Sequence, residues 1–194
     1  MSAFVVGNFL IYSIINAITP GPGNILALNT VSNYGLKRGK PLFAGIFVGY
    51  YVVQAICAIF VYGVSSILPN ALGIMKYIGA AYILWLAIHI ASSKPPEENE
   101  NKSASFIKGF LLQFVNVKIY LFGITALTGY ITDYSTSFWV LLLFEMIIAT
   151  IGTLATSIWI AVGSLIQTFY KKHYRVINIV LALFLLECIY SILK

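Results

Sequence analysis

A chain of 194 residues that is 60% hydrophobic and only 9% charged, with a mean hydropathy of +0.91, does not have the composition of a soluble domain, in which about a quarter of residues carry charge. Its net charge of +6 does not mark a nucleic-acid binder, because nine of the twelve basic residues fall in three short stretches: Lys37, Arg38 and Lys40; Lys94, Lys102 and Lys108; Lys171, Lys172 and Arg175. Two cysteines, Cys57 and Cys188, lie in apolar runs without CxxC or metal-ligand spacing, so neither a disulfide framework nor a zinc site is indicated.

The chain reads as six apolar spans. The first, about Phe4 to Ser32, lies in a run without a charged side chain (1–36) and is interrupted by Thr19-Pro20-Gly21-Pro22-Gly23-Asn24. A helix of ~20 apolar residues crosses a bilayer. Pro-Gly-Pro-Gly cannot continue one, since each proline lacks an amide donor and each glycine loosens the backbone. Broken backbone at membrane depth is tolerated only where protein buries it or where it lines a cavity. Transporters use such breaks to offer bare helix ends to a substrate. The missing basic n-region argues against a cleavable signal peptide.

The second span runs from about Pro41 to Val64, with Pro41 suited to a first helical turn and Gly45 and Gly49 spaced for close helix packing. A linker over 65–70 leads to the third span, about Ala71 to Ala91, where Lys76 snorkels to one surface and His89 sits near the other. Residues 93–105 form a polar linker that divides the chain nearly in half. The fourth span is about Phe106 to Ile131, the fifth about Phe138 to Gln167 and the sixth about Tyr174 to Leu193.

The fold class is therefore an all-α polytopic membrane protein, one transmembrane domain over 1–194 with six transmembrane helices. Three spans on either side of a linker suggest inverted half-repeats, 1–92 and 106–194. Basic residues stay cytoplasmic, which places loops 33–40, 92–105 and 168–173 inside and both termini outside.

Lys118, Glu145 and Glu187 lie deep within spans, where a charge costs ~2.5–3.5 kcal/mol on insertion scales. Lys118 is twelve residues into its span, ~18 Å deep at the helical rise and near the middle of a ~30 Å core. The break and all three ionisable residues share one level, where secondary transporters place their sites. A buried ion pair of Lys118 with Glu145 or Glu187 is the purely structural alternative. Tyr50, Tyr51 and Tyr120 are deep enough to line a pocket.

Thr19-Pro20-Gly21-Pro22-Gly23-Asn24, then Gly35-Leu36-Lys37-Arg38-Gly39, resembles the first-helix signature of the lysine exporter (LysE/RhtB) family of amino-acid efflux transporters. Lys76-Tyr77-Ile78-Gly79-Ala80-Ala81-Tyr82-Ile83-Leu84-Trp85-Leu86 is similar to its third-helix pattern, and Asn116-Val117-Lys118, after Gly109-Phe110-Leu111-Leu112-Gln113, stands where the family has Asn-Pro-Lys. The resemblance implies a small exporter of amino acids or related metabolites in the cytoplasmic membrane, driven by an ion gradient and not an enzyme. Val117 in place of proline implies a fourth helix less broken than the first. Tyr50, where some members carry an acid, implies a neutral substrate.

The resulting expectation is a proton-coupled secondary exporter of a small zwitterionic amino acid. Thr19, Pro20, Gly21, Pro22, Gly23, Asn24, Tyr50, Asn116 and Lys118 bind substrate, and Glu145, with Glu187 second, takes the coupling proton. No cofactor is called for. The expected partners are the substrate, the proton, the lipid bilayer and a second copy in a homo-oligomer, with no nucleic acid. One rival is a divalent-metal exporter using His89, Glu145, Glu187 and Cys188. Another is a membrane thiol-electron carrier, which needs a cysteine pair at the break, whereas Cys57 and Cys188 lie far from it in sequence.

In a cysteine-free background, single cysteines at 37–40 and 95–103 should react with impermeant maleimide only from the cytoplasmic side; external labelling at position 99 would reverse the orientation.

Overall fold

The computed structural model describes residues 2–63, 68–93 and 104–194, and the parts of the expected linkers at 64–67 and 94–103 lie outside the described residues. Among the described residues seven helices follow one another: α1 (Ala3–Ile18), α2 (Pro22–Gly63), α3 (Leu68–Ser92), α4 (Phe106–Val115), α5 (Val117–Tyr130), α6 (Phe138–Leu165) and α7 (Gln167–Leu193). Three of them, α2, α6 and α7, are long and apolar enough to cross a membrane, and the bent pair α4–α5 passes the same test when taken as one span. Dividing α2 where its backbone leaves the helix, at Gly35 (φ 75°), joining its first part to α1 as one broken span and adding α3 gives six apolar segments that match the spans read from sequence.

Two expected loops are helical instead. Gly35 turns the chain in a single residue, because only a residue without Cβ adopts that left-handed backbone readily. Residues 36–41 are then already helix. From sequence Pro41 suits a first turn, but it lies inside the helix, leaving the Lys37 carbonyl without its helical donor. Likewise 168–173 opens α7, whose backbone kinks at His173 (φ −121°, ψ 24°) before the long apolar stretch. Both kinks lie at one end of the bundle, where Ala104 N–H donates to the Arg38 carbonyl. This is the basic end. Tyr62 and Phe138, in edge contact at 5.5 Å, mark the opposite end.

Polarity is arranged inside out. Ile11, Leu143, Leu154, Ile158, Val176 and Leu183 are exposed, while Asn24, Gln54, Gln113, Asn116 and Glu145 are buried. A solvent of hydrocarbon makes that arrangement favourable; water would not.

The two halves of the chain are interlocked. The 36–63 part of α2 packs on α4, and the 22–34 part packs with α1 against α6. At the α2–α4 crossing Gly45 faces the Phe106 carbonyl and Gly109 faces the Leu42 carbonyl, so a methyl on either would collide with backbone. The GxxxG spacing thus serves packing, as the sequence suggests. Gly79 does the same for α3 against the Val115 carbonyl.

Gly109→Ala should lower the thermal stability of the detergent-solubilised protein by about 1–3 kcal/mol, the usual range for overpacking. Gly7→Ala, which adds a methyl into open space, should leave the melting temperature unchanged in the same assay.

Candidate functional site

Ending α1 at Thr19 and restarting at Pro22 frees the carbonyls that would have accepted from the next turn. In lipid each unsatisfied one costs several kcal/mol. The structure supplies a donor to every one. Thr19 N–H reaches Ile15 O at 3.1 Å, and the Thr19 hydroxyl donates to Asn16 O at 2.8 Å. Asn24 Nδ2 donates to Ala17 O at 2.9 Å and Thr19 O at 3.2 Å. Trp159 Nε1 donates to Ile18 O at 3.0 Å. Lys118 Nζ donates to Thr19 O at 3.0 Å and Thr19 Oγ1 at 2.8 Å. The Cys188 thiol lies 3.6 Å from Pro20 O. Asn24 is itself held by the Thr156 hydroxyl at 2.8 Å.

Lys118 brings the second break to the first. The α4–α5 pair bends by 55° at Asn116 (φ −82°, ψ 81°). From sequence, Val117 in place of proline implies a less broken fourth helix. The interruption is indeed one residue rather than three, but it bends fully, because Asn116 ψ alone redirects the chain. Gly21 leaves room for the lysine stem, whose Cδ lies 3.1 Å from where a Cβ would stand.

Lys118 stands between two hollows. On one side is a cavity of about 430 Å³ between α1, α5 and α7, whose polar wall includes Tyr12, Asn16, Thr125, Glu187 and Ser191. On the other is a chamber of about 20 Å³ bounded by Gly21, Gly23, Tyr50, Gln113, Asn116 and Thr156. Asn16, Lys118 and Phe122 belong to both walls.

The expected site residues are thus brought together, with one exception. Thr19, Pro20 and Lys118 line the cavity, and Gly21, Gly23, Asn24, Tyr50 and Asn116 line the chamber. Pro22 is buried as the first residue of α2. Glu187 shares the cavity with Lys118. Glu145 stands apart: it is fully buried, neither carboxyl oxygen has a hydrogen-bond partner, and it and Gln54 both lie over Gly123. Lys118 therefore gives its bonds to Thr19 and does not pair with Glu145. Tyr50 lines the chamber and packs over Gly152 on the same helix as Glu145.

Cys188 departs from expectation by touching the first break, since a helix late in the chain returns to its start. Cys57 is elsewhere, its thiol 4.0 Å from Tyr120 O. Among the described residues no three His, Cys, Asp or Glu side chains gather as a metal site would require.

Sequence reasoning missed the buried amides. Gln54 and Gln113 carry no charge to announce them. It also missed a network at the basic end, where Tyr170 OH accepts from Asn29 and Asn33 at 3.0 Å each and donates to Asn178 Oδ1. Asn178 Nδ2 in turn donates to Ser93 O and Oγ at 3.0 Å. The available signal was Asn29 and Asn33, one helical turn apart in an apolar run.

Broken helices meeting at mid-span, with a lysine between two hollows, define a membrane translocator. The chain belongs to the LysE type translocator family, whose profile matches residues 14–188. Similar proteins include the cysteine/O-acetylserine efflux proteins of Escherichia coli O1:K1 / APEC and of Shigella flexneri serotype 5b (strain 8401), each 37% identical over 189 residues covering 97% of both chains. No solved structure matches.

Asn24→Leu strips the side-chain donor from the buried Ala17 carbonyl, while Thr19 O keeps Lys118 and Thr156 keeps its bond to Gly152 O. The substitution should cost about 1–3 kcal/mol for that orphaned group, read as a lower melting temperature, whereas Ser157→Ala on the exposed face of α6 should not.

Proposed function

We propose that the protein is a proton-coupled exporter of a small neutral amino acid in the cytoplasmic membrane, with cysteine and O-acetylserine, named for its relatives, as the model substrates. One observation carries this reading: Lys118 lies at the broken end of the first helix and also forms the wall of a cavity holding Glu187. An ammonium has three donors. Two are spent on Thr19, and the third is left for a substrate carboxylate.

The break adds to this. Pro22 starts a helix at Gly21–Gly23, and the amides and dipole of a helix N-terminus favour an anion. The substrate's carboxylate is held between that terminus and Lys118, and its side chain extends into the cavity of about 430 Å³. Glu145 takes the coupling proton, being fully buried and lining neither hollow, with both carboxyl oxygens free of hydrogen bonds. Glu187 is the second acid and balances Lys118 while no carboxylate is bound. The basic end faces the cytoplasm, so the Asn29–Asn33–Tyr170–Asn178 network closes the inner side. Absence of an acid at Tyr50 suits a neutral side chain rather than a basic one.

Efflux from cells loaded with cysteine-containing dipeptides tests the assignment. Lys118→Met should abolish efflux at normal membrane levels. Adding Glu145→Gln should not restore it, since the lysine does not neutralise that acid. Lys118→Arg should also fail, because a planar guanidinium cannot replace a compact ammonium between Thr19 and Gly21. Recovery in the double variant would show that Lys118 serves only to balance charge.

A further inference from the structure

We propose that Gln113 and Asn116 form the subsite for the substrate's ammonium group, which makes a free primary amine a requirement for transport. This deepens the amino-acid exporter reading and rests on it. Gln113 and Asn116 are 1% and 3% exposed. Gln113 Oε1 and Asn116 Oδ1 are both buried and have no hydrogen-bond partner. Both residues line the same small chamber.

Two buried acceptors without a donor are unfavourable unless a donor arrives. The geometry keeps them in place for it. Gln113 Nε2 is tied to Gly109 O at 3.4 Å, so its oxygen is the end left over. The glycines at 23 and 49 clear the amide's position: a Cβ on Gly23 would stand 3.4 Å from Nε2, and one on Gly49 only 2.9 Å from Cγ.

The chamber of about 20 Å³ has room for a single water-sized group. An ammonium is that size and brings three donors to acceptors that have none. An acetamido group brings one donor and does not fit. Because Lys118 borders both hollows, a carboxylate on its free proton leaves the α-amine on the chamber side and the side chain on the cavity side. Charge balances as well: Lys118 and the substrate ammonium are matched by the substrate carboxylate and Glu187.

The test uses full-length protein in nanodiscs, with binding read by calorimetry for L-cysteine, 3-mercaptopropionate (no amine), cysteamine (no carboxylate) and N-acetylcysteine. Wild type should bind L-cysteine at least about tenfold more tightly than 3-mercaptopropionate, a difference of ~1.4 kcal/mol. In Gln113→Leu and Asn116→Leu that preference should collapse toward one, through loss of L-cysteine affinity alone. Gln113→Glu and Asn116→Asp retain an acceptor and should keep the preference, which guards against misfolding of the leucine variants. A preference that persists in both leucine variants would overturn the ammonium subsite and leave the exporter reading standing. Failure of wild type to bind any carboxylate-bearing probe would overturn both.

Discussion

Hydrocarbon supplies no hydrogen-bond donors, and the break at Thr19–Gly21 leaves a series of carbonyls that must find them. This requirement organises the molecule. The donors come from Asn24 on α2, Lys118 on α5, Trp159 on α6 and Cys188 on α7. Four helices from both halves of the chain therefore converge on a few peptide units. Small residues make the approach possible: Gly21 admits the lysine, and Gly45 and Gly109 let α2 and α4 cross at backbone distance. The same hydrogen bonds that make the break tolerable bring a cation to it.

The arrangement separates two acids that sequence alone groups together. Glu187 looks into the open cavity beside Lys118, while Glu145 is enclosed with Gln54 above Gly123. They share a depth but face different surroundings. One meets whatever enters the cavity; the other meets only groups that can pass through a packed interior.

Much of this was legible from the sequence. Hydropathy and charge punctuation located the spans because both follow from the bilayer's thickness and its intolerance of charge. The proline-glycine break and Lys118 were legible because helix breakers and a charge stand out in an apolar run. Elsewhere local rules misled. Gly35 and His173 turn the chain so sharply that polar stretches expected as loops are helical. Asn116 bends its helix without a proline, through a backbone angle no composition reveals. Cys188 reaches the first break only because α7 packs against α2 and α3, a tertiary fact. Gln54 and Gln113 were missed because an amide in an apolar run costs less than a charge and stands out less.

The Tyr170 network has its own consequence for how the basic end opens. Tyr170 and Asn178 are fully buried, and their bonds tie α2, α3 and α7 together. Every partner in that network is uncharged and could hydrogen-bond water equally well. Separating the helices in a dry interior would strand each donor and acceptor, whereas separating them as water enters only exchanges partners. Any separation of α2, α3 and α7 at this end would therefore cost least where water enters with it.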